Sequence, residues 1–191
     1  MLRNLFISFL LAGVMWAIFI INQVFPMDFN TFGIIPRTTH GLWGIVCAPF
    51  LHANIHHIVS NSWPIIILTF VLLQFYDNLA FRVWTGSAVL GGFLVWAFAR
   101  SAVHIGASGV IFSLLGFLMA SGIFRGSLKS FIIGIIIFFL YGGCIWGVLP
   151  NQEGVSWESH LFGFIAGIFL ARHYRKFPSK SEELRNTDND F

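Results

Sequence analysis

Apolar runs about as long as a bilayer's hydrocarbon core is thick recur along this chain, and no other feature constrains its fold as much. One extends from about Leu5 to Phe25, another from about Val83 to Ala99, then from about Ala107 to Phe124 and from about Phe131 to Leu149. A spanning helix needs about 20 residues rising about 1.5 Å each. Two further runs are too short if only apolar residues are counted: Ser62 to Phe75, with 14 residues, and Leu161 to Ala171, with 11. To cross, the first of these must reach back through Asn61 and His57 and end near Tyr76. The other must reach back through His160 and end near Tyr174. Only 10% of the 191 residues are charged and 57% are apolar, a balance that excludes a soluble domain. The expectation is an all-α polytopic membrane protein with six transmembrane helices. Its one domain covers residues 1–176, followed by a polar, disordered tail over 177–191.

The cations orient the spans. With the N-terminus in the cytoplasm and six alternating crossings, the inner side receives Arg3, Arg82, Arg125, Lys129, Arg172, Arg175, Lys176, Lys180 and Arg185. The outer side receives Arg37 and Arg100. Nine against two is a positive-inside bias, so both termini are expected in the cytoplasm. The net charge of +3 is then a membrane feature and not a nucleic-acid signal. The first apolar run is long and lacks a small-residue cleavage site, so it reads as a retained span rather than a signal peptide. Cys47 and Cys144 lie in apolar surroundings without partners at metal-ligand spacing and read as buried free thiols. The loop after the first span is rich in turn residues: Pro26, Asn30, Gly33, Pro36, Gly41 and Gly44. No internal repeat is evident.

Polar groups at membrane depth are costly and mark function. The second, fourth and sixth spans all run from outside to inside. His57 and Asn61 lie near the start of the second, Ser108 near the start of the fourth, and His160 near the start of the sixth. Alternation therefore gathers all four into one layer near the outer face. A serine hydroxyl is a weak nucleophile that needs a base in hydrogen-bond reach and donors aimed at the oxyanion that forms. Ser108 is the candidate nucleophile and His160 the candidate base. His57 and Asn61, four apart, share a helix face and can donate to the oxyanion together with the Ser108 N–H. Gly163 and Gly167 follow His160 on the same face, and Gly109, Ser113 and Gly116 give the fourth span a small-residue stripe. Such residues let helices approach closely. Phe112, one turn after Ser108, is placed to pack on the imidazole. No acid completes a triad: Glu158 stands at i and i+2 to His160 and points away, so the pair reads as a dyad.

Three motifs in order now carry a resemblance. Gly106-Ala107-Ser108-Gly109, His57-Ile58-Val59-Ser60-Asn61 and Ser159-His160-Leu161-Phe162-Gly163, continuing to Gly167, resemble the G-x-S-G, H-x-x-x-N and A-H-x-x-G-x-x-x-G motifs of rhomboid intramembrane serine proteases. The match covers roughly residues 5 to 175 and is closest to the bacterial six-helix core without a soluble N-terminal domain. Two positions depart from the pattern. Gly44 follows Trp43 where the family often has arginine, and Phe112 stands where related enzymes have tyrosine.

The resemblance implies an intramembrane serine endopeptidase that needs neither cofactor nor metal. Its partners would be transmembrane protein substrates in the lipid bilayer, with no nucleic acid, and its place the bacterial inner (plasma) membrane. The oligomeric state is not read from the sequence. Catalysis implies a substrate helix that partly unwinds, with the loop Pro150 to Ser156 and the adjoining end of the fifth span as the mobile parts. The alternative is a catalytically inactive rhomboid-like binder of transmembrane helices, but inactive relatives lose the serine or the histidine and this chain keeps both. A small transporter would need paired intramembrane carboxylates or an inverted repeat. Taken alone, Ser108 reads as a helix-packing serine. His52, His56 and His57 read as a metal cluster only if adjacent side chains converge, and no cysteine or carboxylate joins them. His52 and His56 are expected to be loop or structural groups, His104 solvent-facing, and Arg100 an interfacial anchor.

Overall fold

The computed structural model describes residues 1–25, 28–149 and 156–177, apart from the side chains of residues 144–146. The expected mobile loop falls almost wholly outside these described residues, as do the polar tail beyond residue 177 and the Cys144 thiol. Six long helices account for most of what is described. They are α1 (Leu2–Val24), α2 (Ile55–Phe75), α3 (Asp77–Phe98), α4 (Ser108–Phe124), α5 (Leu128–Tyr141) and α6 (Trp157–His173). Among the described residues α1, α2 and α3 have the length and apolarity of membrane spans, whereas α4, α5 and α6 have 17, 14 and 17 residues. Strands are absent among the described residues, which form an all-helical bundle.

Why each helix begins where it does is local chemistry. The α2 start lies seven residues before the apolar run because Asn54 caps it, accepting from the His57 N–H at 2.9 Å. The cap pulls His57 and Asn61 into the helix. Ser156 caps α6 in the same way and so brings His160 inside its first turn. The third helix starts at Asp77, earlier than the apolar run from Val83, because an acidic residue suits a helix N-terminus.

At the centre stands α4. Twelve of its residues, from Val110 to Gly122, are buried, and an element hidden on every side needs no polar face. On one flank α6 crosses it closely enough that backbone meets backbone. A Cβ on Gly163 would collide with the Gly109 carbonyl, one on Gly167 with the Ser113 carbonyl, and one on Gly116 with the Phe164 carbonyl. On another flank α3 carries a π-helical stretch over Ser87–Gly91. There Ser113 donates to Ser87 at 2.8 Å, and Ser87 donates to the Val83 carbonyl at 2.7 Å. Two hydroxyls at membrane depth thus satisfy each other and the helix backbone.

The two ends of the bundle differ. At one end Arg3 pairs with Asp77 at 2.8 Å, and Arg125 donates to the Tyr174 and Phe177 carbonyls beyond the end of α6. At the other end the long loop between α1 and α2 lies against the end of α3. Arg37, whose backbone takes a left-handed φ of 61°, donates from its side chain to the Ala99 carbonyl at 2.8 Å. The Trp96 indole N–H answers to the Thr38 carbonyl at 2.8 Å. This is how the loop is held without an arginine after Trp43. Gly44 has no room for a side chain, since a Cβ there would collide with the backbone of Gly33 and Ile34. Cys47 is a free thiol but only half-buried, a correction to the expected burial, because the helical turn Gly44–Cys47 lies in this surface loop and not in a span.

Candidate active site

Ser108 is the first residue of α4, where the opening N–H groups of a helix lack intrahelical acceptors. The segment entering it makes a sharp turn at Gly106, with a φ of 113° that only glycine adopts freely. A side chain there would also strike the His57 ring, its Cβ falling 2.5 Å from Nε2. The His57 ring therefore lies against the backbone two residues before Ser108. Asn61 is 4% exposed, and its amide nitrogen donates to the His57 carbonyl at 2.8 Å. That bond commits one of its two amide hydrogens to its own helix.

His160 faces the same place from α6. Its ring stacks on Phe112 with centroids 4.2 Å apart and planes 4° from parallel. Phe112 is one turn after Ser108, so the imidazole lies over the face of α4 that Ser108 begins. The Nδ1 atom stands 2.8 Å from the Gly147 carbonyl oxygen. A carbonyl only accepts, so Nδ1 carries the proton and the Nε2 lone pair is left as the basic site. In Ser-His-Asp hydrolases the orienting role belongs to a carboxylate. Here the group that meets the His160 ring is a backbone carbonyl, and no sequence motif marks Gly147.

Around the start of α6 lies a polar cluster that the sequence describes poorly. Glu158 is 3% exposed and faces Arg100, Oε1 to Nη1 at 3.4 Å, so Arg100 has a buried partner besides its place at the surface. His104 is 2% exposed, which corrects the solvent-facing expectation. Its backbone forms a two-bond bridge with Ile34, both bonds at 2.9 Å, which turns the ring inward under the first loop. Nδ1 then meets Ser156 Oγ at 2.6 Å and Nε2 meets the Arg100 carbonyl at 3.1 Å. Burial holds the His104 pKa below the ordinary imidazole range. His52 is 1% exposed, edge-on to His57 with centroids 4.9 Å apart. Burial, with His57 adding to it, lowers its pKa to about 4. His56 is exposed and does not join them.

An all-helical bundle of long apolar helices, with a serine at one helix start and a histidine stacked against the same helix, defines a class of membrane-type helical protein. The Rhomboid domain family model matches residues 39–177. An uncharacterised protein of Mycobacterium tuberculosis is 36% identical over 171 residues, covering 84% of this chain and 70% of that protein. One from Mycobacterium leprae is 34% identical over 191 residues, covering 93% and 74%. Rhomboid-like protease 3 of Toxoplasma gondii is 30% identical over 149 residues, covering 71% and 52%. The chain belongs to the rhomboid family. It is thus an integral membrane protein of a family whose members are generally serine proteases acting on membrane protein substrates.

Proposed function

We propose that this protein is an intramembrane serine endopeptidase that cuts membrane proteins within or near a transmembrane segment, in the bacterial inner membrane. Its domain over residues 1–176 crosses the bilayer six times, with both termini in the cytoplasm. Ser108 Oγ attacks the substrate carbonyl carbon while His160 Nε2 takes its proton. The oxyanion so formed is met by the Ser108 N–H, His57 and the remaining Asn61 donor. The C–N bond then breaks, the imidazolium gives its proton to the leaving amine, and an acyl-enzyme ester remains on Ser108. Water entering from the outer side hydrolyses that ester, with His160 again as base. The substrate helix must unwind locally first, because its carbonyls are hydrogen-bonded within the helix and unpairing them in lipid costs several kcal/mol each.

The observation that carries this reading is the setting of His160. The Gly147 carbonyl fixes the tautomer from one side and Phe112 fixes the ring plane, so the Nε2 lone pair is the basic site of a ring lying over the face of α4 that begins with Ser108. A packing histidine would need no such double constraint. The test is cleavage of a labelled transmembrane substrate in liposomes by wild type, Ser108→Ala and His160→Ala. Both variants are expected to fold and to lose cleavage. Cleavage by Ser108→Ala near the wild-type rate refutes the assignment, and a wild type that binds the substrate without cutting it makes the protein a binder.

A further inference from the structure

The contact between α4 and α6 is smooth where it is closest. Gly109 meets Gly163, and Gly167 meets the Ser113 carbonyl, so backbone packs on backbone at both points. Such a contact fixes how far apart the two helices stand. It does little to stop one from sliding or turning against the other. A serine–histidine pair split between the two helices is sensitive to slide and turn, because proton transfer requires heavy atoms within about 2.6–3.2 Å. The stack of Phe112 on His160 ties the two helices at one point; further ties must hold the first turn of α6 in register.

The polar bonds at the start of α6 do so. The Arg100 carbonyl can only accept, so His104 Nε2 carries the ring proton and donates to it. In the neutral ring Nδ1 is then an acceptor, and Ser156 Oγ donates to it. With its one proton spent, Ser156 Oγ accepts from Ser159 Oγ at 2.6 Å. The backbone follows the same centre, since the Ser156 carbonyl accepts from the Ser159 N–H at 3.1 Å and from the His160 N–H at 3.4 Å. The residue next to the base and the backbone of the base itself thus hang on Ser156, and Ser156 hangs on His104. His104 is held from three sides, by the Ile34 backbone, by the Arg100 carbonyl and by burial. Four residues further along the same strand of chain comes Ser108. The segment from His104 to Ser108 therefore ends in the nucleophile and begins in the group that fixes the base.

We propose that His104 is a positioning residue for this reaction: accepting the Ser156 hydroxyl proton, it locks the first turn of α6 in register with α4 and so aligns His160 with Ser108. The proposal rests on the dyad reading above. His104 itself touches neither substrate nor reacting atoms.

The two ring nitrogens can be separated by substitution. The Asn amide oxygen falls near the position of Nδ1, so His104→Asn keeps an acceptor for Ser156 and loses the bond to Arg100. The longer Gln reaches the Nε2 position, so His104→Gln keeps a donor for Arg100 and loses the acceptor for Ser156. The measurement is kcat and KM for a labelled transmembrane substrate in liposomes, together with the labelling rate of Ser108 by a fluorophosphonate and thermal stability of each variant. His104→Gln is expected to lose on the order of 10- to 100-fold in kcat, the scale of a misplaced catalytic group, with KM little changed. His104→Asn should retain the larger part of kcat. Ser156→Ala approaches from the other partner and should lose kcat as His104→Gln does, while the double variant should be no worse than the more impaired single one. The Ser156→Ala single variant, read as kcat against KM, decides the question if a histidine variant fails to fold: an unchanged kcat overturns the proposal. Equal behaviour of the Asn and Gln variants, or additive losses in the double variant, overturns the proposal while leaving the dyad intact. Persisting cleavage in a Ser108→Ala control overturns both.

Discussion

Placing an alanine at Gly163 tests how much of the site depends on helix contact. The added Cβ would run into the Gly109 carbonyl oxygen, and it would also lie 3.0 Å from that carbonyl carbon and 3.3 Å from its Cα. Ordinary contact begins at 3.4 Å, and these atoms are helix backbone that cannot swing aside. The helices must therefore part by roughly 1 Å, a misplacement worth about 10² in rate. Overpacking costs about 1–3 kcal/mol, against which replacing glycine in a helix returns about 1 kcal/mol. Stability should thus fall by at most about 2 kcal/mol, so the variant folds and its rate can be measured. Gly109→Ala is the internal comparison. A Cβ there meets the Ser159 carbonyl at 3.5 Å and Ser159 Cβ at 3.7 Å, ordinary contacts both. It should keep a far larger share of the rate and be at least as stable as wild type. The assay is substrate cleavage in liposomes with thermal melts in detergent. A Gly163→Ala protein with wild-type kcat, or a Gly109→Ala protein equally impaired, refutes the claim that backbone contact at Gly163 helps to set the distance.

Three further outcomes are expected. His57→Ala and Asn61→Ala should each lower kcat more than they raise KM, because the oxyanion forms only in the transition state. The loss should lie at or below the low end of the usual 10²–10³ for one donor, since donors share the work; unchanged kcat in both would make them structural. Acid should destabilise the protein through His52. Its pKa is 6.5 unfolded and about 4 folded, so the unfolded state binds the extra proton and stability present above pH 6.5 is lost as pH falls towards about 4. His52→Gln should flatten that part of a plot of melting temperature against pH, and an unaltered slope would mean the ring is not the titrating group. Tags at Met1 and Phe191 should both resist protease added to the outer face of sealed cells, whereas an accessible C-terminal tag would require an odd number of spans.

The sequence by itself determined the membrane class, the approximate helices and the chemistry worth testing. Depth is a one-dimensional quantity: residue count times helix rise, with the sign alternating from span to span. That is why the sequence leads to the expectation that His57, Asn61, Ser108 and His160 share one layer, and why caps such as Asn54 only refine where α2 starts. Azimuth and backbone position are not encoded so simply. The carbonyl of Gly147 that orients His160 belongs to a residue whose type says nothing about it. His104 reads as a surface histidine near an outer loop, and only its bridge to Ile34 turns it inward to Ser156. Gly109 and Gly163 look alike as small residues on facing helices, yet a side chain fits at one and not at the other. Gly44 departs from the family pattern, and the folded loop explains it: the backbone of Gly33 and Ile34 fills the space, while Arg37 supplies the hold on α3. In each case the deciding partner is a backbone atom brought close by packing between segments distant in sequence. Hydrophobic periodicity carries no record of such atoms, and only the tertiary structure places them.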